Sequence, residues 1–411
     1  MKVIHINYYD TNGGAARAAY RIHHALISEG VDSSFFAAVA AAGDHTVQGP
    51  SRKFDRLSAL IRPQIASLLR KTLRTEKLTL HSPAILPSSI VKHINNCDAN
   101  IVHLHWVANE MLSISDISRI KKPIVWTLHD MWAFCGAEHL AGDIRWREGY
   151  RSDNRPPHES GFDLNRWTWL RKKRYWKRPM HIVTPSRWLG HCVRESALMR
   201  NWPQTVIPNC LDTDEWQPIG QNLARTLLGL PIEVPLVLFG TAGANADPNK
   251  GFDLMISSIK HLISDIPGFQ LVIFGQHAPR NPMYPGVKIN YLGHLHDNLS
   301  LRTLYSAVNL LVIPSRLENL PNTAVEAMSC STPVVSFDTG GMSDVVTHKE
   351  NGYLAKAFDT FELAQGMKWI LSDANIQRRF SERARTDAVR NFNKRKVARQ
   401  YISLYREIQG L

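Results

Sequence analysis

Residues 309–338 read NLLVIPSRLENLPNTAVEAMSCSTPVVSFD. The apolar run 309–313 predicts a short buried strand, 314–320 a loop, 321–328 the opening of a helix, and 334–337 the next strand. That is a βαβ unit. Glu318 falls in the loop ahead of the helix, Pro321 suits its first turn, and Glu326 lies further along it. At 1.5 Å rise per residue, the interval between the glutamates spans roughly 12 Å. Between them sits a helix N-terminus, whose free N–H groups attract anions. Spacing alone admits two readings. One is a ligand with hydroxyls at both ends and phosphate between, as in a nucleotide-sugar; the other is two ordinary acids favoured at a helix start by the macrodipole.

The same alternation extends outward in both directions. Upstream, 236–240, 270–275 and 287–292 predict strands, and the long loop TAGANADPNKG over 241–251 ends at Lys250 and Gly251 before a helix over 252–262. Downstream, Gly340 and Gly341 turn the chain toward a helical tail from 360. The first half repeats the pattern with strands over 3–7, 33–39, 100–105, 123–128 and 181–185. After the first strand, Gly13 and Gly14 open an alanine-rich helix, the way open α/β sheets bring backbone N–H groups near a phosphate or sugar. The GxGxxG fingerprint is absent, and a glycine turn that merely redirects the chain fits equally. His105 and His129 each close a strand. C-terminal strand ends line the ligand crevice of a parallel sheet, so His129 and Asp130 are placed either for chemistry or to satisfy backbone groups.

The stretch IPNCLDTDEWQP from 207 has little periodicity and reads as a hinge. Its Asp212 and Asp214 spell DxD, but no further ligands from strand ends are evident, so no metal is expected. The fold expected is α/β, with two Rossmann-like lobes facing across a cleft. Its domains are an N-terminal acceptor-side lobe over 1–206, a hinge over 207–216, a C-terminal lobe over 217–385 and a C-terminal helix over 386–411 that is able to return to the first lobe.

A chain of 411 residues suits two domains, and 44% hydrophobic with 21% charged residues is globular. No apolar run approaches the length of a membrane span. The N-terminus MKVIHINYYD enters a strand directly and lacks the apolar core of a signal peptide. Five scattered cysteines without CxxC pairing fit a reducing compartment, so a cytoplasmic protein is expected. The net charge of +13 implies an acidic partner.

Two segments concentrate that charge. Residues 52–77 carry eight Lys or Arg against two acids, with Leu57, Leu60, Ile61, Ile65, Leu68, Leu69 and Leu73 at helical spacing and Pro63 expected to kink or split the helix. Either an anionic membrane surface or the protein core could take that apolar stripe. Residues 145–178 carry 11 Lys or Arg against four acids, interleaved with Trp146, Trp167, Trp169, Tyr175 and Trp176. Anionic lipid or lipid-linked phosphate fits this better than nucleic acid, because no nucleic-acid-binding motif accompanies it.

In the order of these motifs the chain resembles glycosyltransferase family 4, over nearly its whole length. Ser315 through Glu318 to Glu326 and Ala327 is similar to the family's Glu-x7-Glu signature, and Pro208-Asn209 through Trp216 to its PNGVD hinge, with Cys210 in place of glycine. Asn249-Lys250-Gly251 resembles its phosphate-binding lysine motif, Val183 to Ser186 its serine loop, and Trp126-Thr-Leu-His129-Asp130 its active-site histidine segment. The WTLHDMWAFCG wording is most like members that build bacterial surface polysaccharides such as O-antigen, capsule or exopolysaccharide.

The resemblance implies a retaining transferase of GT-B type that moves a sugar from a nucleotide-sugar to a lipid-linked or oligosaccharide acceptor, without a metal or other cofactor. It implies that Glu326 holds the ribose, Glu318 the donor sugar, and Lys250 with the 319–322 helix start the diphosphate. His129 would lie near the transferring sugar. Gly13, Gly14, Gly275, Asn319, Leu320, Pro321 and Asn322 complete the donor-binding set. The protein would sit at the inner face of the plasma membrane through 52–77 and 145–178. One family feature is missing, an arginine shortly after the strand ending at Gly240. A nucleotide- or nucleic-acid-binding module of the same fold without transfer activity is the alternative reading.

Overall fold

The computed structural model describes residues 1–74, 80–240, 247–279 and 286–410. It forms two compact units, one of Met1–Cys210 with Val397–Leu411 and one of Leu211–Lys396.

The first unit is built on a seven-stranded parallel sheet in the order Val47–Gln48, Asp32–Val39, Lys2–Tyr9, Ile101–Leu104, Ile124–Thr127, His181–Thr184, Gln204–Val206. Most of these strands are buried on both faces, which is why they read as continuous apolar runs rather than alternating ones. One cluster joins Val3, Ile101, Val125 and Val183 of the sheet to Ile22 and Leu26 of the helix Gly14–Ser28. Val397, Tyr401, Leu404 and Tyr405 of the helix Lys394–Gln409 pack into the same cluster, so residues that follow the second unit complete the core of the first.

The second unit has a six-stranded parallel sheet in the order Ile289–Tyr291, Gln270–Phe274, Leu236–Gly240, Leu310–Ile313, Val334–Phe337, Gly352–Ala355. The helices Asn298–Ala307 and Asn322–Ser329 contribute to one core cluster, and Phe252–Leu262 and Thr360–Leu371 to another. The expectation of two Rossmann-like α/β lobes with parallel sheets is met. The chain passes between units at 210–211 and again at 396–397. Residues 211–216 pack as part of the second unit: Leu211 and Trp216 are buried there, and Asp212 pairs with Lys394 while accepting the N–H groups of Asp214 and Glu215.

The helix that Pro63 is expected to split stays whole, and the basic aromatic segment is more deeply packed than its composition suggests. The helix Lys53–Arg70 runs unbroken through Pro63. A proline removes the N–H that would bond the carbonyl four residues back, here Ala59. The Tyr8 hydroxyl donates to that carbonyl at 2.7 Å and replaces the lost bond. The aromatic set of 145–178 is divided: Trp146, Trp169 and Trp176 are buried, whereas Trp167 is half-buried and Tyr175 is exposed. Arg145 is buried, paired with Asp143, Glu159 and Asp163, and Lys172 donates to the carbonyls of Trp132, Cys135 and Gly136. Sequence spacing could not reveal this, since buried cations with such partners are outnumbered by solvated ones.

Candidate active site

In the second unit, two loops are stitched together before the helix Asn322–Ser329 begins. Gly251 has φ +68° and its missing Cβ would lie 2.0 Å from the Pro314 carbonyl oxygen, so only glycine permits the approach. The Arg316 N–H donates to the Asn249 carbonyl (2.7 Å), and the Asn249 amide donates to that of Leu317 (2.8 Å). On the other side, the Gly341 N–H donates to the Glu318 carbonyl at 2.8 Å. Gly340 has φ +58° and would bring a Cβ within 2.1 Å of that same oxygen.

This clamp brings Lys250 and Glu318 together, with Nζ 2.8 Å from Oε1. Both side chains are partly exposed. The adjacent Glu318 carboxylate raises the Lys250 pKa above its ordinary value, outweighing the opposing effect of burial, and so keeps the ammonium charged. A positioned cation beside a carboxylate suits a ligand with both anionic and hydroxylated parts. The Arg316 guanidinium is held by Asp253 and the Pro248 carbonyl. Residues 241–246, where the family arginine is missing, lie outside the described residues.

The two glutamates of the signature differ in setting. Glu318 is partly exposed, whereas Glu326 is 2% exposed on the inner face of its helix and accepts the Tyr305 hydroxyl at 3.0 Å. Asn319 and Asn322 are partly exposed at the helix start, and Leu320 and Pro321 are buried beside them. Gly275, with φ +87°, ends the strand Gln270–Phe274 and donates its N–H to the Gly293 carbonyl at 2.7 Å. The roles of Arg316, Asn249 and Tyr305 as supports left no signal in the sequence, since each acts across a loop or helix distant in the chain.

In the first unit, His129 lies just past the strand Ile124–Thr127, and Gly13, with φ +93°, precedes the helix Gly14–Ser28 past the strand Lys2–Tyr9. Burial pushes the His129 pKa down to about 4 against the pull of Asp130, so the ring is neutral near pH 7. Asp130 accepts from Trp106 Nε1 (2.9 Å), the Trp132 N–H (2.9 Å) and His139 (2.6 Å). Burial alone would raise its pKa, but His139 and these donors hold it below the usual range. It is a structural acceptor rather than a free base. Ser186 caps the helix Arg187–Glu195 by accepting the Leu189 N–H.

This pair of parallel α/β units is the architecture of the GT-B class of glycosyltransferases. Sucrose-phosphate synthase from Thermosynechococcus elongatus aligns with a TM-score of 0.67 at 18% identity, covering 100% of this chain and 99% of that one. WaaG, a glycosyltransferase involved in lipopolysaccharide biosynthesis, aligns at 0.65 with 14% identity, covering 100% of both. Anabaena HepE in complex with UDP-glucose aligns at 0.67 with 16% identity, covering 98% of this chain and 99% of that one. Residues 12–215 match the model for Glycosyltransferase Family 4 and residues 243–387 that for Glycosyl transferases group 1. Each half of the chain thus carries a glycosyltransferase match. A D-inositol 3-phosphate glycosyltransferase of Xylanimonas cellulosilytica is 28% identical over 218 residues, which is 49% of this chain and 50% of that protein. An N-acetyl-alpha-D-glucosaminyl L-malate synthase of Bacillus anthracis is 29% identical over 29% of this chain and 31% of its own length. The matches thus span about half or less of these curated relatives.

Proposed function

We propose that this protein is a retaining hexosyltransferase that moves a sugar from a nucleotide-sugar to a lipid-linked or glycan acceptor in bacterial surface-polysaccharide synthesis. The observation that carries this reading is the clamped Lys250–Glu318 pair at the start of the helix Asn322–Ser329. When a sugar-to-phosphate bond breaks, negative charge gathers on the departing diphosphate and is best stabilised by donors already in place. Lys250 and the N–H groups at the helix start take that role. Glu318 accepts hydroxyls of the donor sugar and Glu326 those of the ribose, and the resemblance assigns His129 of the first unit to the transferring sugar. No metal takes part in this scheme. The surface-polysaccharide assignment draws support from the fold likeness to WaaG and from the WTLHDMWAFCG segment.

The acceptor side is assigned to the first unit, held at an anionic membrane by the helix Lys53–Arg70. Leu57, Leu60, Ile61 and Leu68 of that helix are exposed, while the small residues Ala59 and Ala66 face inward. A helix that buries alanines and displays leucines among cations suits a lipid interface. Beneath it lies a cavity of about 520 Å³ lined by Tyr8, Phe36, Ala59, Arg62, Ile90 and Met111 among others. Among the described residues no helix is long and apolar enough to cross a membrane.

Thermal-shift titration with UDP, GDP, ADP and their sugars tests the donor assignment, because a bound ligand raises apparent stability by mass action. A shift with one nucleotide family, followed by sugar transfer to a lipid-linked acceptor, is expected. Binding without turnover of any donor would instead favour the inactive module.

A further inference from the structure

Among the described residues of the first unit, His5, His105 and His129 form a continuous hydrogen-bonded row. His5 pairs in register with His103 on the neighbouring strand, and His105 follows two residues on, on the same face. His5 Nδ1 lies 2.9 Å from His105 Nε2, and His105 Nδ1 lies 3.2 Å from His129 Nε2. The rings are close to parallel, at 17° for the first pair and 25° for the second. We propose that His5 and His105 fix the tautomer of His129, leaving it to act as a hydrogen-bond donor through Nδ1 rather than as an acceptor or base through Nε2. The catalytic meaning of this rests on the assignment of His129 to the donor sugar proposed above.

A neutral imidazole has one N–H and one lone pair. Burial holds His5, His103 and His105 well below their ordinary pKa, so all are neutral near pH 7. The row then has two proton arrangements. In one, every ring is protonated on Nδ1 and donation runs from His5 to His105 to His129. In the other, every ring is protonated on Nε2 and donation runs the opposite way. The far end decides between them. His5 Nε2 is buried without a hydrogen-bond partner, and its ring is stacked on Phe35 with His23 at its edge. The second arrangement would strand an N–H there, and orphaned buried N–H groups are rare. The first leaves only a lone pair against aromatic rings.

His5, His103 and His105 are also close enough to surround one metal ion. However, His103 is engaged at both nitrogens, with Thr127 at 2.8 Å and Tyr405 at 2.7 Å, as His105 is with its two neighbours. The group offers no carboxylate or thiolate to balance a buried dication. The row is better read as a positioning device.

Two-bond 1H–15N correlation of the ligand-free, 15N-histidine-labelled full chain at pH 7.5 tests this. The His129 signals are assigned by their loss in His129→Gln. Expected is a protonated Nδ1 and a lone-pair Nε2 at His129. In His105→Leu the ring should pass to mainly Nε2–H, and kcat should fall about tenfold or more with little change in KM for the donor. His105→Gln, whose amide can accept from His5 and donate to His129, should restore both. A wild-type His129 protonated on Nε2 overturns the proposal, whether or not any variant folds. The tautomer is read without turnover, so absence of sugar transfer would count against the proposed function and not against the row.

Discussion

Lys250 Nζ and Glu318 Oε1 stand 2.8 Å apart although 68 positions separate them in sequence, and neither loop could hold its residue there alone. Replacing Lys250 with alanine should lower kcat about 100-fold or more, the scale of losing one preorganised electrostatic group. Initial rates on a variant with an unchanged circular dichroism spectrum are the measurement. Wild-type transfer would remove Lys250 from the mechanism.

Glu326 is buried and held by the Tyr305 hydroxyl, so its carboxylate has a fixed orientation. For Glu326→Ala we expect nucleoside diphosphate to bind roughly tenfold or more weakly, in line with the loss of a hydrogen bond to a charged group. Tyr305→Phe should give a smaller loss of the same sign. Calorimetric titration returning wild-type affinity for Glu326→Ala would sink the ribose assignment.

The leucines displayed by the helix Lys53–Arg70 give the membrane reading a direct handle. Leu60→Glu combined with Leu68→Glu should abolish pelleting with anionic vesicles while leaving thermal stability near wild type, since both side chains are already exposed. Equal pelleting with anionic and neutral lipid, before any mutation, would count against docking.

The buried histidines set a pH dependence of stability. Their folded pKa values lie below the unfolded value of about 6.5, so the unfolded chain takes up protons that the folded chain refuses. Their neutral forms therefore leave stability whole above pH 6.5, and stability drains as pH falls below it. The window runs down toward about 4 for His129 and about 3 for His23. His129 alone should contribute a loss of about 2 kcal/mol at pH 5 relative to pH 7.5. Urea unfolding at the two pH values should show a lower midpoint at pH 5. A midpoint that does not move would contradict the burial of these rings.

Much of the architecture could be read from apolar runs. Strands such as 310–313 and 334–337 are buried on both faces, and their composition says so. Lys250, Glu318 and Glu326 could be singled out as candidates from sequence, because each stands in a short motif at a loop or a helix start. What escaped was partnership across distance. Nothing near Glu318 in sequence announces Lys250 as its neighbour, and nothing near Ala59 announces the Tyr8 hydroxyl that lets Pro63 stay in a helix. In the basic aromatic segment, likewise, Arg145 and Lys172 count as surface charge until Glu159, Asp163 and the carbonyls of 132–136 are placed around them. The alternation of His103 and His105, opposite His5, was a signal in plain view, since a period of two puts both on one face of a strand.

The helix Lys394–Gln409 has a consequence for how the protein is made. Tyr405 donates to or accepts from His103, and Tyr401 bonds Thr127, so the polar interior of the first unit is closed by side chains synthesised after the whole second unit. A ribosome that has finished residue 210 has not yet supplied them. The first unit therefore reaches its final form only after translation has passed residue 405. Until then its sheet exposes the apolar face that Val397, Tyr401 and Leu404 will cover. During that interval the nascent chain is open to aggregation and to chaperone capture, and the second unit has the earlier opportunity to fold.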